Sequence, residues 1–266
     1  MSLSVDQSPP VMLSINGLGK QFKGLVALDN YQLDLYPGEI IGLIGPNGAG
    51  KTTVFNLITG IFSASHGKIH LDGRDITNFG PDQIAMLGIA RTFQNIRLFG
   101  GLTALQNLLV AVQIRKKYHF GSMLFSSTSF TRIEKELLSV AESYLELLDI
   151  GMYRNTTAKN LPYGVQRKLE IARALATKPQ VLLLDEPAAG MNPQESLDLM
   201  HTITKLRDDF QVTVVLIEHD MNVVMNLCER LQVLSYGKII AQGNPYEIKN
   251  NPIVIDAYLG RPTANA

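Results

Sequence analysis

The pattern of apolar and polar residues predicts strands that alternate with helices along most of the chain. Short, nearly continuous apolar runs are typical of strands covered on both faces, and segments with the helical spacing of apolar residues follow them. The strand runs are 39–44, 181–184 and 212–217, and the helical segments are 51–60, 165–176, 193–208 and 221–229. This alternation favours a mostly parallel, doubly wound α/β sheet.

Strands of a different kind are predicted nearer the two ends. Residues 11–15 and 28–36 alternate apolar and polar side chains, which is typical of half-buried strands. Residues 67–72 predict another short strand. The runs 231–235 and 238–241 flank a Tyr-Gly dipeptide and predict a β-hairpin.

The pattern changes between about residues 95 and 165. Segments 104–114 and 133–148 have helical periodicity, and the polar, aromatic stretch 116–131 between them predicts a loop or a loose insertion. We therefore expect a helical subdomain at about 95–165, inserted into a chain that is otherwise α/β.

Composition narrows the class of protein. The 266 residues are 45% hydrophobic and 18% charged, which is ordinary for a folded domain. Lys plus Arg equals Asp plus Glu at 24 each, and this zero net charge argues against nucleic acid as a partner. No apolar run approaches the length that crosses a bilayer. We expect one domain over residues 11–260 with flexible tails at 1–10 and 261–266, and we expect any membrane-spanning helices to come from other subunits.

The most specific motif is the segment 45–53, which reads GPNGAGKTT. It fits G-x-x-x-x-G-K-[ST] and lies between a predicted strand and a predicted helix, the context that identifies a phosphate-binding loop. Its glycines let backbone N–H groups close on phosphates, and the start of the following helix adds a positive dipole end. Lys51 would place its charge on the β- and γ-phosphates, and the Thr52 hydroxyl would ligate Mg²⁺. The predicted nucleotide-binding residues are Gly45, Pro46, Asn47, Gly48, Ala49, Gly50, Lys51, Thr52 and Thr53.

Two carboxylates, Asp185 and Glu186, end the apolar run 181–184. Adjacent strand residues point in opposite directions, so we expect the two acids to have different tasks. Asp185 would orient Mg²⁺ or its water, and Glu186 would act as general base toward a hydrolytic water. The alternative is a pair of acids that caps a helix.

A histidine, His219, follows the next predicted strand, directly after Glu218. A lone histidine at such a place is commonly a capping or core residue. The position of this strand, next in the chain after the carboxylate pair, favours a contact between His219 and the γ-phosphate instead.

Together these motifs resemble the nucleotide-binding subunits of ABC (ATP-binding cassette) transporters along almost the whole chain. The resemblance implies that Phe22 stacks on adenine, that Gln94 contacts Mg²⁺ and the attacking water, and that Asp185 positions the metal. It also implies that Glu186 is the catalytic glutamate and His219 the switch histidine, with ATP and Mg²⁺ as cofactors. The implied fold is a P-loop NTPase core with a mostly parallel sheet, an N-terminal antiparallel β-subdomain and an inserted α-helical subdomain.

One motif departs from the family pattern. The family's signature, Leu-Ser-Gly-Gly-Gln, is replaced by Leu-Pro-Tyr-Gly-Val at 161–165. Pro162 lacks the serine hydroxyl that in the family touches the γ-phosphate of the opposing subunit, whereas Gly164 and the helix start remain. This variant looks like the ATPases of branched-chain amino-acid importers. The features that carry this closer resemblance are the Leu-x-Tyr-Gly signature, the segment 188–193, the insertion near 116–131 and the ending 251–260.

The resemblance implies a motor subunit whose ATP hydrolysis drives uptake of branched-chain amino acids. Its implied partners are transmembrane permease subunits, a second related ATPase or a second copy of itself, and indirectly an extracytoplasmic substrate-binding protein. The implied place is the cytoplasmic face of the inner membrane. The alternatives are the same role for urea or another small polar cargo, a soluble ABC ATPase outside transport, and a subunit that senses ATP without hydrolysing it.

Overall fold

The structure is a computed structural model that describes residues 10–115 and 127–259, without the side chains of 115 and 127–131. The chain divides into two compact units. The first comprises Met1–Ile84 and Thr204–Ala266, and the second comprises Ala85–Ile203. The helices that carry the chain across the two boundaries are α2 (Pro81–Leu87) and α6 (Pro193–Phe210). The single domain expected at 11–260 stays a prediction, and the expected tails lie outside the described residues apart from Pro10.

An antiparallel sheet forms one part of the first unit. Its strands, in spatial order β2-β1-β4-β5, are β2 (Leu25–Leu35), β1 (Leu13–Phe22), β4 (His66–Leu71) and β5 (Arg74–Asp75). The strand predicted at 11–15 therefore continues to Phe22. Its pairing with β2 shifts register between Ile15 and Leu18, where Gly17 has a φ of +58°. Such an irregularity breaks the alternation of side chains, which is why the sequence pattern ended the strand too early.

Buried parallel strands form the other part of the first unit. They are β3 (Ile40–Ile44), β8 (Thr213–Ile217) and β9 (Arg230–Ser235), followed by β10 (Lys238–Gly243). β3 pairs in parallel with both β8 and β9, and β10 pairs antiparallel with β9 as the predicted hairpin. Every residue of β3 and β8 is buried, as continuous apolar runs predict. The helices of this unit are α1 (Lys51–Ile58), α7 (Met221–Leu227), α8 (Pro245–Lys249) and α9 (Pro252–Tyr258).

The second unit combines two parallel strands with helices. The strands β6 (Ile89–Arg91) and β7 (Val181–Asp185) pair in parallel. The helices are α3 (Ala104–Arg115), α4 (Ser127–Leu147) and α5 (Tyr163–Ala176), with short 3-10 turns at Gly151–Tyr153 and Ala158–Asn160. α3 contacts both α4 and α5.

Two expectations for these helices are wrong in their bounds. α4 begins at Ser127, so the last five residues of the predicted loop 116–131 are helical, while residues 116–126 lie outside the described residues. The polar and aromatic composition of 127–131 hid this first turn, since it carries no apolar periodicity of its own. α5 begins at Tyr163 rather than 165, because Pro162 occupies the N-cap position with ψ of 150°.

The expected fold class is confirmed, with an antiparallel β-subdomain, a mostly parallel α/β core and a helical region. Among the helices that the structure describes, none is both long and apolar enough to cross a bilayer.

Candidate functional site

The predicted phosphate loop leads from β3 into α1 with a backbone that L-residues rarely adopt. Gly45 has a φ of +146°, and a Cβ added there would lie 2.0 Å from the carbonyl oxygen of Leu234. Gly48 has a φ of +78°, and an added Cβ would meet no atom of the described residues within 4 Å. The loop is therefore packed on one side and open on the other, so that a phosphate can approach its N–H groups.

The lysine of this loop is held in place by the loop itself. Lys51 is 8% exposed, and its Nζ donates hydrogen bonds to the carbonyl oxygens of Gly45 at 2.7 Å and Pro46 at 3.0 Å. The next residue, Thr52, is exposed at the start of α1. A buried ammonium ion beside open N–H groups and a helix N-terminus suits an anionic ligand with several phosphates.

A half-exposed aromatic ring lies at the end of β1. Phe22 is 37% exposed and packs edge-on against Phe62, with ring centroids 5.2 Å apart. The Lys20 ammonium lies 4.9 Å from the centroid of the Phe22 ring. A ring that is held by a neighbouring ring and is still exposed can stack on a planar base, as the resemblance implies.

The loop between β8 and α7 carries His219. Its side chain is 61% exposed, so the alternative of a core histidine is wrong. The capping alternative is also wrong, because Asp220 is the N-cap of α7 and accepts a hydrogen bond from the Asn222 N–H at 2.8 Å. The His219 Nδ1 lies 3.8 Å from Glu218 Oε2, and neither of the two alternatives accounts for this exposed imidazole.

The two adjacent acids have different surroundings. Asp185 ends β7, is 4% exposed, and its Oδ2 accepts a hydrogen bond from Arg91 Nη2 at 2.7 Å. Glu186 leaves the strand with a left-handed φ of +47°, and its Oε2 accepts a hydrogen bond from Gln94 Nε2 at 2.8 Å. The next helix begins only at Pro193, so the alternative that these acids cap a helix is wrong.

The predicted site residues fall into two groups, one in each unit. Phe22, the loop 45–53 and His219 belong to the first unit, and Gln94, Asp185 and Glu186 belong to the second. Within the second unit the structure brings Gln94 and Glu186 into direct contact.

Sequence reasoning missed the buried charges around Gln94. Arg167 and Glu170 form an ion pair of 2.9 Å on α5, with side chains 0% and 2% exposed. Arg91, the partner of Asp185, is also buried. The available signal was the segment QRKLEIARA at 166–174, which places two opposite charges three positions apart on a helix.

The variant signature borders a cavity of the second unit. This cavity, of about 540 Å³, is lined by Gln94, Asn95, Tyr163, Ala189 and Gly190. Pro162 caps α5 without a side-chain hydrogen bond, and its carbonyl oxygen accepts from the Gln166 N–H at 2.9 Å. The aromatic ring of the signature thus replaces the small glycine of the family at the cavity wall.

The phosphate loop also borders α9, the last of the helices that the structure describes. A cavity of about 220 Å³ there has walls from the loop, the β9–β10 turn and α9; its lining is Pro46, Asn47, Gly48, Ala49, Ser235, Tyr236, Ala257 and Tyr258. Burial raises the pKa of Tyr258, and a hydrogen bond with the Gly45 backbone acts in the opposite direction. The helix α9 therefore contacts the phosphate loop through Tyr258.

The residues proposed to hold Mg²⁺ all offer oxygen. They are Thr52, Gln94 and Asp185, and oxygen ligands together with phosphates and waters suit this ion. Within the described residues there is no cluster of three or more His, Cys, Asp or Glu groups that could hold a metal. Thr52 belongs to the first unit and Gln94 and Asp185 belong to the second, and the side-chain oxygen of each suits Mg²⁺.

The two family models that match this chain both describe ABC transporters. Residues 28–189 match the family model described as ABC transporter, and residues 238–264 match the one described as branched-chain amino acid ATP-binding cassette transporter. The High-affinity branched-chain amino acid transport ATP-binding protein LivG of Escherichia coli (strain K12) is 47% identical over 249 residues. These residues cover 94% of this chain and 98% of that protein.

Solved structures agree with the sequence comparison. The ADP conformation of MJ1267, an ATP-binding cassette of an ABC transporter, superposes with a TM-score of 0.82 at 31% identity, over 95% of this chain and 100% of that one. The dimeric post-hydrolysis state of the cassette MJ0796 bound to ADP and Pi superposes with a TM-score of 0.75 at 26% identity. That match covers 88% of this chain and 99% of that one.

Proposed function

This chain belongs to the ABC transporter family, and we propose that it is the ATP-binding and ATP-hydrolysing subunit of an importer for branched-chain amino acids. The resemblance inferred from its motifs is confirmed. The cargo proposal is supported by LivG, whose name states branched-chain amino acid transport, and by the match of residues 238–264.

The folded phosphate loop is the observation that carries the ATPase proposal. Its open glycine backbone, the helix start and the buried ammonium of Lys51 form one cationic cradle. We propose that Lys51 binds the β- and γ-phosphates, that Thr52, Gln94 and Asp185 hold Mg²⁺, and that Phe22 stacks on adenine. The ADP conformation of the similar cassette MJ1267 supports nucleotide binding at this fold.

Hydrolysis is assigned to Glu186. Its carboxylate accepts a proton from the attacking water while the water oxygen bonds to the γ-phosphorus. The bond from that phosphorus to the bridging oxygen breaks, and ADP leaves with the electron pair. Gln94 orients the Glu186 carboxylate through its 2.8 Å hydrogen bond, and His219 contacts the departing phosphate. Bound Mg²⁺ would neutralise charge on the β- and γ-phosphates.

The working assembly is proposed as two cassettes on a pair of permease subunits. The dimeric cassette MJ0796 supports a paired arrangement. Because Pro162 lacks the signature hydroxyl, we favour pairing with a second, related ATPase over pairing with an identical copy. The permease holds the pair at the cytoplasmic face of the inner membrane, and an extracytoplasmic binding protein delivers the cargo. Within the subunit, we propose a helical subdomain at about 95–165.

Reconstitution tests this function directly. The chain, its partner ATPase and the permease are placed in proteoliposomes, with ATP on the side of the ATPases and the binding protein on the other. We expect ATP-dependent uptake of leucine, isoleucine and valine, no uptake of urea, and loss of uptake in a Lys51→Ala variant. Uptake of urea alone would replace the cargo proposal, and uptake unaffected by Lys51→Ala would remove this chain from the motor role.

A further inference from the structure

The buried guanidinium of Arg167 joins the signature segment, residues 161–165, to residues 93–97, which include Gln94. Arg167 is 0% exposed. Its Nη1 donates to the carbonyl oxygen of Phe93 at 2.7 Å and to Glu170 Oε2 at 2.9 Å. Its Nη2 donates to the carbonyl oxygen of Gln94 at 2.8 Å and to the Tyr163 hydroxyl oxygen at 3.2 Å. A planar fork can hold such divergent acceptors in a fixed arrangement, which a lysine cannot reproduce.

The partner of this arginine holds the same loop from its N–H side. Glu170 Oε1 accepts hydrogen bonds from the backbone N–H of Arg97 at 3.1 Å and, more weakly, of Phe93 at 3.4 Å. Arg167 and Glu170 thus bind both carbonyl and N–H groups of residues 93–97. We call this set, Arg167, Glu170 and Tyr163, the signature clamp.

Stability alone is a weak reason for such a pair. Apolar residues of similar volume commonly stabilise a protein core as well as a buried ion pair does, because they avoid desolvating two charges. We therefore look for the role of the Arg167–Glu170 pair in the groups that it positions. One of its hydrogen bonds ends on the carbonyl oxygen of Gln94, whose side chain contacts Glu186.

The side chain of Gln94 completes a path to the catalytic acid. Its carbonyl oxygen is held by Arg167 Nη2, and its side-chain Nε2 donates to Glu186 Oε2 at 2.8 Å. A shift of the Gln94 backbone therefore moves a side-chain donor to that oxygen. The Tyr163 hydroxyl lies at the other end of the same path.

We propose that Arg167 is a positioning residue through which the signature segment of this chain acts on its own Gln94 and Glu186. This inference rests on the proposed ATPase function and deepens it. In the family resemblance the signature serves the nucleotide of the opposing subunit, whereas the clamp gives it a second effect within its own chain. Tyr163, which stands where the family has glycine, supplies the side chain that links the signature to this path.

Steady-state kinetics of an Arg167→Lys variant test the proposal in the full chain. The variant keeps the charge beside Glu170 and loses the fork. We expect kcat to fall about ten-fold, because a charge-assisted hydrogen bond that orients the reacting groups is lost. The KM for ATP stays unchanged, because the phosphate loop is untouched. A matched Arg154→Lys variant, whose side chain is half exposed in a surface pair with Glu142, should keep both parameters.

A double variant decides whether Arg167 acts through Gln94. In a Gln94→Ala background, the path to Glu186 is already broken, so Arg167→Lys should lower kcat no further. Losses that multiply, or a KM that rises in parallel with the fall in kcat, would overturn the proposal.

Hydrogen exchange tests the clamp even if Arg167→Lys fails to fold or the wild-type chain fails to hydrolyse ATP. Tyr163→Phe removes one hydroxyl at a half-exposed position, so folding is preserved. Hydrogen exchange at the amides of 93–97 should be faster in this variant than in the wild type, and unchanged in Tyr153→Phe. Equal exchange rates in Tyr163→Phe and wild type would refute the clamp. A wild type without ATPase activity would refute the proposed function, and the exchange measurement would still decide the clamp.

Discussion

Replacing Glu186 by Gln removes basicity while keeping the shape of the side chain. Gln has nearly the volume of Glu, and both bear the same cost of the left-handed φ of +47° at this position. A Gln side chain can turn its amide oxygen toward Gln94 Nε2, so the 2.8 Å hydrogen bond can be retained. The variant therefore isolates the proton-accepting step from the geometry around it.

The magnitude follows from the role assigned to the carboxylate. General-base catalysis contributes about 10²–10⁴-fold to rate, and we expect turnover to fall by that amount in Glu186→Gln. Binding of ATP should be unchanged, since the phosphate loop and Lys51 are intact. The bound state should then persist, with the paired cassettes held closed.

The assay compares phosphate release with equilibrium ATP binding under the same Mg-ATP concentration. Asp198→Asn is the matched control, because Asp198 is an exposed carboxylate on α6. It should hydrolyse ATP at the wild-type rate. Turnover of Glu186→Gln within a few-fold of wild type would refute the assignment of the general base, and loss of ATP binding would show that the substitution disturbs more than proton transfer.

Three further outcomes can be checked separately. Phe22→Ala should weaken ATP binding by about 1–3 kcal/mol, the usual worth of base–aromatic stacking, while the exposed Phe210→Ala leaves affinity unchanged in the same titration; equal affinities would refute the adenine contact. Because Pro162 removes a hydrogen bond to a charged group, the chain alone should hydrolyse ATP slowly, and its rate per site should rise about ten-fold in the assembled transporter; equal rates per site would reject the asymmetric pair. Burial raises the pKa of Cys228 from 9.0 to about 12, so a thiol reagent at pH 8 should label the folded chain far more slowly than the unfolded chain. Labelling of the folded chain should accelerate only as the pH nears 12, and rapid labelling at pH 8 would contradict the burial of this thiol.

The elements predicted from sequence are those whose signals are local. The strands β3, β7 and β8 are short apolar runs buried along their whole length, so hydrophobicity alone identifies them. The phosphate loop is a contiguous motif whose glycines and lysine all lie between Gly45 and Lys51. The bulged continuation of β1 was missed, because Gly17 interrupts the alternation on which a strand prediction depends.

The signature clamp could not be read from sequence in the same way. Arg167 and the Gln94 carbonyl that it holds are 73 residues apart, and a charged residue on a helix normally predicts a solvated face. Only the folded second unit shows that this charge is buried against a loop backbone. The catalytic and metal-binding roles of the predicted residues stay predictions until the substitutions above are measured.

The left-handed backbone conformation of Glu186 lowers the stability of the chain at a residue that the proposed ATPase activity requires. A residue other than glycine in that conformation costs about 1–3 kcal/mol, and glycine costs least. A change from Glu186 to Gly would thus relieve strain in the loop while removing the proposed base. A laboratory selection that rewards only a higher melting temperature should accumulate inactive chains at this position. Glutamate would persist there only under continued selection for ATP turnover.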